Sequence, residues 1–213
     1  MPKFLAALLA LIVATVGAPS SGHAQTYMAG KEYVVLDQPA PTADPATIEV
    51  VEVFSFGCPH CFQLEPLLEA WKQRQSADVR LVRVPTFWSP NNEPLVRGYY
   101  TLRALGIDER AMMPVFNAIH VDHRGFYGEA DWSGFLAGQG VAADKVLAAY
   151  SSDAVTKAVL AAPALTGTYG ATGTPELIVD GRYRTSPASA GGYEQMLKVV
   201  DYLVAKRRAE RGK

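Results

Sequence analysis

Residues 52–71 have the sequence EVFSFGCPHCFQLEPLLEAW, and this stretch decides the fold. The apolar, β-branched and aromatic run from Ile48 to Phe56 predicts a buried strand. After Gly57, apolar side chains recur with the spacing of one helix face: Cys61, Leu64, Leu67, Leu68 and Trp71. The sequence therefore predicts a strand that passes directly into a helix, with Cys58-Pro59-His60-Cys61 at the junction.

The position of the two cysteines indicates their chemistry, and the chain has no others. Pro59 suits the first turn of a helix, because that turn has no partner for its N–H. The unpaired N–H groups and the helix dipole favour a thiolate at Cys58, and a protonated His60 would add positive charge beside it. Such a thiolate is a good leaving group, so a disulfide with Cys61 would be easily reduced. A Cys-x-x-Cys motif in this place is typical of a thioredoxin-like redox site.

Two structural interpretations compete with the redox site. A zinc half-site would need further ligands, and the histidines His120 and His123 have no cysteine neighbours. An inert disulfide over so short a loop would add little to a chain with ample core. We therefore expect no metal at the two cysteines.

Glu52 is the one charged residue on an otherwise apolar strand face. The period of two places it beside Val50 and Phe54, a few residues from Cys58. Buried and unpaired, its carboxyl would have a raised pKa and could exchange protons with Cys61. The alternative is a partly wet face on which Glu52 is an ordinary charge.

After the cysteine motif, the sequence predicts one more strand and then a mainly helical region that ends near residue 169. Val79 to Val84 predicts a second strand, and residues of about 91–169 show helical patterns that begin at Asp108, Asp131 and Asp153 as caps. The last of these patterns runs through Val155, Val159 and Leu160, and its apolar positions predict core.

Beyond Gly173-Thr174-Pro175, a hairpin and a closing helix are expected. Glu176 to Val179 and Arg182 to Thr185 predict two strands joined by Asp180-Gly181. A helix begins at about Tyr193, and its basic end at Lys206 to Arg208 is expected to be solvated.

Residues 1–24 predict a targeting segment that is cleaved after Ala24, and the alternative is an uncleaved membrane anchor. Lys3 is followed by an apolar run that is too short to span a bilayer and by small residues before the cleavage site. Export implies an oxidising compartment, where disulfide chemistry is needed. The formal net charge of −1, with acids and bases interspersed, argues against a nucleic-acid partner.

The Cys-Pro-His-Cys tetrad, the preceding Phe-Ser-Phe and Gly30-Lys31-Glu32-Tyr33 resemble the DsbA family of bacterial periplasmic disulfide oxidases. The resemblance extends in order over most of residues 25–213, including Gly173-Thr174-Pro175. It departs at Gly57, where close relatives often carry a bulky aromatic, and at Thr174, where many carry valine. It implies a thioredoxin-like α/β fold with an inserted α-helical subdomain at about 91–169.

The resemblance also implies a site and its partners. Glu52 would be the acidic residue beneath the disulfide, and Pro175 a cis-proline opposite it that exposes the backbone of Thr174 to a substrate peptide. A periplasmic monomer would oxidise unfolded exported proteins, use Cys58–Cys61 without a further cofactor, and be reoxidised by a membrane partner of the DsbB type. Its reduced form would be the more stable one.

Three other functions would use the same cysteines. A disulfide isomerase or reductase would be kept reduced, and the chain lacks an isomerase-type dimerisation domain. A dedicated assistant for cytochrome or pilus maturation would differ only in its substrate surface. A copper-binding module would use both sulfurs as soft ligands, yet no methionine cluster lies nearby in the sequence.

Overall fold

The structure is a computed structural model that describes residues 26–212. The expected targeting segment and its cleavage site after Ala24 lie outside the described residues. Within 26–212, none of the helices combines the length and the apolar character that crossing a membrane requires.

The centre of the molecule is a five-stranded mixed sheet with the strand order β1-β5-β4-β2-β3. Strand β2 is buried along its whole length, as its apolar run predicts. It pairs parallel with β3 and antiparallel with β4. The strands are β1 (Val34–Val35), β2 (Ile48–Phe54), β3 (Val79–Pro85), β4 (Glu176–Val179) and β5 (Tyr183–Thr185).

Helices cover both faces of the sheet, and a block of five separates β3 from β4. The five helices are α2 (Glu93–Ala104), α3 (Asp108–His120), α4 (Glu129–Gly138), α5 (Ala143–Tyr150) and α6 (Asp153–Thr168). The others are α1 (Pro59–Gln73), α7 (Pro187–Ala190) and α8 (Tyr193–Glu210). This arrangement confirms the predicted α/β, thioredoxin-like fold with a helical insertion. The sequence patterns did not reveal the short helices α5 and α7.

The apolar core has two main parts that meet along β2 and α1. One part packs α1 and α8 on the sheet, with Trp71 and Met196 at its centre. The other joins the helical insertion to the end of β2, and it contains Phe56, Phe116 and Cys61. The redox motif therefore lies where the insertion meets the sheet.

Several local expectations in the insertion are wrong. Ser152, not Asp153, caps α6, because its hydroxyl accepts the N–H of Val155. Asp108 and Asp131 lie inside the first turns of α3 and α4, where a carboxylate still benefits from the helix dipole. Leu160 is 75% exposed and does not belong to the core.

The turn between β4 and β5 has the conformation that Asp-Gly predicts. Asp180 and Gly181 both have positive φ, 55° and 62°, which matches the twist of a tight hairpin. A Cβ at Gly181 would lie 2.1 Å from the carbonyl oxygen of Ala40, so the loop before β2 requires glycine there.

The basic end of α8 is not simply solvated. Arg207 donates to Asp180 at 2.6 Å, and Arg208 donates to Asp78 at 2.7 Å. Asp180 is itself buried, so these pairs attach α8 to the hairpin and to the start of β3. The sequence pattern could not show these partners because they are distant in the chain.

Candidate active site

Two loops meet at one end of the sheet because β2 and β4 are antiparallel. Val53, near the end of β2, pairs with Glu176 at the start of β4. The residues after β2 therefore lie beside the residues before β4. This register brings Cys58 and Thr174 together.

The two cysteines occupy different environments at the start of α1, and both are thiols here. Cys58 is the N-cap of α1 and is half-buried, while Cys61 lies one turn on and has no exposed surface. Pro59 is the first helical residue, as expected. The first sulfur can therefore meet a substrate, and the second cannot.

Hydrogen bonds lower the pKa of the Cys58 thiol to about 5. The largest cause is a hydrogen bond from Cys61; the Thr174 side chain and the backbone N–H groups of Cys61 and His60 add to it, while partial burial opposes them. Burial raises the pKa of Cys61 well above its ordinary value. At neutral pH, Cys58 is a thiolate that is stabilised by a neutral Cys61.

Glu52 is fully buried, so the alternative of a partly wet face is wrong. The expectation that it is unpaired is wrong too, because Nε of Arg83 donates to its Oε2 at 3.1 Å. Its other oxygen, Oε1, has no hydrogen-bond partner. Desolvation nevertheless raises the pKa of Glu52 to about 8, against the attraction of Arg83.

Arg83 neutralises Glu52 poorly because several carboxylates share its charge. Nη2 of Arg83 also donates to buried Glu65 at 2.8 Å. Glu109, from α3 of the helical insertion, lies 3.5 Å from Nη1 of Arg83 and also contacts Lys72. The ion-pair network under the cysteines therefore spans the sheet, α1 and the insertion.

A groove of about 600 Å³ opens beside the cysteines. The Thr174–Pro175 peptide bond on its wall is cis, as the resemblance implied. The groove is lined by His60, Thr174, Pro175, Pro187, Ala188 and Tyr193 among others. Gly57, the other departure from the family pattern, is exposed, and a Cβ there would lie 3.3 Å from Cδ1 of Leu95.

His60 is exposed and its ring contacts α8. Its Nδ1 lies 2.9 Å from the hydroxyl oxygen of Tyr193. That hydroxyl donates to Oε1 of Gln63 at 2.8 Å. The motif predicts that His60 lies beside Cys58, but nothing in the sequence identifies Tyr193 and Gln63 as its partners.

His120 is notable in the sequence only as a candidate zinc ligand, but the structure places it against the loop before Cys58. Nε2 of His120 lies 2.8 Å from the carbonyl oxygen of Phe56, two residues before Cys58. Its ring stacks on Phe62 with centroids 5.1 Å apart and planes within 10°. No pattern in the sequence connects α3 to this loop, so no signal was there to find.

Within residues 26–212, no group of three or more histidine, cysteine, aspartate or glutamate side chains is arranged to hold a metal ion.

An acidic thiol at a helix N-terminus, a buried second thiol and a cis-proline opposite them define a thioredoxin-like thiol–disulfide oxidoreductase. Comparison with known proteins identifies the family within this class. Residues 77–199 match the family model described as "DSBA-like thioredoxin domain", and the chain belongs to that family.

Relatives named "Thiol:disulfide interchange protein DsbA" match nearly the whole chain. The protein from Pseudomonas aeruginosa PAO1 is 40% identical over 189 residues, which cover 89% of this chain and 90% of the relative. The relative from Pseudomonas syringae is 36% identical over 200 residues, 94% of each chain.

Solved structures give the same result. The crystal structure of P. aeruginosa DsbA superposes with a TM-score of 0.84 at 40% identity, covering 88% of this chain and 97% of that one. The oxidoreductase DsbA from Xylella fastidiosa gives a TM-score of 0.80 at 34% identity, with coverage of 86% and 98%. The resemblance to the DsbA family is thus confirmed, and the protein is a thiol:disulfide oxidoreductase of the DsbA type that acts on substrate proteins.

Proposed function

We propose that the protein introduces disulfide bonds into unfolded, exported proteins, with the Cys58–Cys61 disulfide as its only redox group. The observation that carries the proposal is the position of Cys58, half-buried at the N-terminus of α1 beside a buried Cys61, where hydrogen bonds lower its pKa to about 5. A sulfur that is stable as a thiolate leaves readily from a mixed disulfide, so the protein tends to give its disulfide away. The same property makes the reduced enzyme a poor reductant.

The proposed reaction has two exchange steps. A substrate thiolate attacks Sγ of Cys58, the Cys58–Cys61 bond breaks, and Cys61 takes the electron pair. A second substrate thiolate then attacks the substrate sulfur of the mixed disulfide, and Cys58 leaves as a thiolate. The substrate loses two electrons and gains a disulfide, while the enzyme ends as the dithiol.

Glu52 is proposed to supply the proton that Cys61 needs in the first step. The raised pKa of Cys61 means that this sulfur must be protonated once it leaves. The charge of Glu52 is one cause of that raised pKa, which supports proton exchange between the two groups. With its own pKa of about 8, Glu52 carries a proton at neutral pH and can hand it on.

The groove beside the cysteines is proposed to hold the substrate. Its mostly apolar wall of prolines and alanine suits an extended peptide segment. The backbone of Thr174 lies next to Cys58 and could pair with such a segment as an added strand. His60 and Pro59 would then flank the incoming sulfur.

The working environment follows the family. We propose that the protein acts as a monomer in the periplasm after its targeting segment is removed. A membrane partner of the DsbB type would accept electrons from the reduced pair. The expected cleavage after Ala24 supports export, and the relatives' name, thiol:disulfide interchange protein, supports a redox partner for the pair.

The redox state of the pair in cells tests the proposal. Thiol trapping should find Cys58 and Cys61 mainly oxidised, and the purified oxidised protein should oxidise a reduced, unfolded model protein. Cys58→Ala, the inactive control, cannot form the disulfide and should not oxidise the model protein. A pair that is mainly reduced in cells would favour an isomerase or reductase, and stoichiometric copper in the purified protein would favour a metal-binding module.

A further inference from the structure

Tyr193 connects the last helix of the chain to the redox motif. It is the first residue of α8, and its hydroxyl lies between Nδ1 of His60 at 2.9 Å and Oε1 of Gln63 at 2.8 Å. His60 and Gln63 are one turn apart on α1, so the phenol spans both side chains. An exposed imidazole would otherwise sample several rotamers.

The hydrogen bonds define which nitrogen of His60 carries a proton. A phenol has one proton, and Tyr193 donates it to Gln63. The lone pair of the phenol oxygen therefore faces Nδ1, which must be the donor. This contact is compatible with the imidazolium ion and with one neutral tautomer, in which the free nitrogen is Nε2. The bond to Gln63 also polarises the phenol and makes it a better acceptor.

The phenol belongs to the same electrostatic environment as the two sulfurs. The pKa of Tyr193 is raised first by desolvation and then by the charges of Cys58 and Cys61. The backbone of His60 already stabilises the thiolate of Cys58, because its N–H donates to that sulfur. Tyr193 and His60 both line the groove whose wall includes Thr174, the residue that accepts a hydrogen bond from Cys58.

We propose that Tyr193 and Gln63 are positioning residues that hold the ring of His60 as an Nδ1–H donor at the rim of the groove, where its positive form stabilises Cys58 whenever that sulfur leaves as a thiolate. The inference rests on the proposed function for its biological role. Its test uses purified protein and glutathione only, so it can fail while oxidation of unfolded proteins remains intact.

Tyr193→Phe removes the hydroxyl and nothing else. The pKa of Cys58, followed through thiolate absorbance at 240 nm, should rise by roughly 0.3 to 1 unit, the equivalent of one hydrogen bond. The equilibrium constant with glutathione should shift by a factor of about 2 to 10 toward the oxidised protein. Tyr202→Phe, a matched change on α8 in the packed core, should alter neither quantity.

A double-mutant cycle separates positioning from a direct effect. In a His60→Ala background, Tyr193→Phe should add no further shift, because the ring that it positions is gone. An equal shift in both backgrounds would mean that Tyr193 acts on Cys58 directly, and it would overturn the proposal. So would an unchanged pKa of Cys58 in the single variant.

Nitrogen chemical shifts of His60 report its tautomer, which a general increase in the mobility of the site would not change. In the neutral ring of the wild-type protein, the proton should remain on Nδ1, and Tyr193→Phe should move the population toward the Nε2–H tautomer. An unchanged tautomer would contradict the proposed role. Gln63→Met should shift the pKa of Cys58 in the same direction by a smaller amount, and no shift would remove Gln63 from the proposal.

Discussion

The sulfur of Cys58 lies 3.4 Å from the carbonyl oxygen of Thr174, although 116 positions separate the two residues. Thr174 serves this sulfur in both of its protonation states. Its carbonyl accepts the proton of the thiol, and its side chain donates a hydrogen bond that lowers the thiol pKa. The departure from valine at this position is therefore chemically significant.

Thr174→Val should raise the pKa of Cys58 from about 5. The change removes one donor to the thiolate and keeps the volume, so a rise of roughly 0.5 to 1 unit is expected. Titration of thiolate absorbance at 240 nm measures it. Thr172→Val is the control, because Thr172 lines the same groove but bonds to Glu176. A pKa that stays or falls in Thr174→Val would contradict this assignment.

The reduced protein should be the more stable form at neutral pH, a direction already known for the DsbA family. Closing the loop between Cys58 and Cys61 stabilises the oxidised chain by only about 2 kcal/mol. The thiolate at Cys58 opposes this gain, since its folded pKa of about 5 lies below an unfolded value of about 8.5. At pH 7 about two units of this depression count, roughly 2.7 kcal/mol before solvent screening, so the net margin of the reduced form is below about 1 kcal/mol.

The stability difference between the two forms should depend on pH in a defined way. Because the folded pKa of Cys58 is depressed, its contribution is complete above about pH 8.5 and disappears as the pH falls through about 5. The oxidised form should therefore become the more stable one in acid. Denaturation curves of the oxidised and reduced protein at several pH values measure this difference. A difference in unfolding free energy that does not change with pH would refute the prediction.

Cys61→Ala should accumulate mixed disulfides with substrate proteins, while Cys58→Ala should not. The reason is access: Cys58 is half-buried beside the groove, and Cys61 has no exposed surface. Non-reducing gels of cells that express each variant, followed by reduction of the trapped bands, provide the measurement. Equal trapping by both variants would mean that Cys61 can be attacked as well.

Glu52→Gln should stabilise the protein, and the gain should grow with pH. The folded pKa of Glu52, about 8, lies above an unfolded value of about 4.3, so the wild type loses stability as the pH rises between these values. Glutamine avoids burying a charge and can still accept from Arg83, which gives a gain of roughly 1–3 kcal/mol near pH 8. Glu49→Gln, the same change on the opposite face of β2, is the control. A pH-independent difference would show that Glu52 does not titrate in this range.

Gly98→Ala should destabilise the helical insertion. A Cβ on Gly98 would lie 1.9 Å from the ring of Trp132, which is fully buried and cannot move without repacking its neighbours. A loss of roughly 1–3 kcal/mol in the free energy of unfolding is expected. Gly134→Ala, also inside a helix but with only an ordinary contact at 3.5 Å, should instead gain roughly 0.5–1 kcal/mol. Urea denaturation of both variants tests the contrast.

The sequence was most informative where short-range signals coincide. The strand before Gly57, the helix after it and the Asp180-Gly181 turn depend on neighbours in the chain, and the structure confirms them. Helix caps were less certain, because Asp153 at the first helical position and Ser152 before it both stabilise an N-terminus. The short helix α5 buries little beyond Val146 and Tyr150, so its apolar pattern is too weak to identify.

Contacts between segments that are distant in the chain could not be predicted from local sequence patterns. Arg83 stands opposite Glu52 in the parallel register of β3 on β2, and no property of either strand alone defines that register. Tyr193 reaches His60 only because α8 begins where the groove ends. The resemblance supplied the positions of Thr174 and Pro175, but it did not supply the partners of Glu52 and His60.

The antiparallel register of β2 and β4 determines when the enzyme becomes reactive. Cys58 leaves the ribosome 116 residues ahead of Thr174. Until β4 has joined the sheet, the sulfur lacks the donor from Thr174, and Cys61 is not yet enclosed by the insertion. A partly synthesised chain thus lacks the groups that activate Cys58, and its power to oxidise other proteins arises only when its own folding is nearly finished.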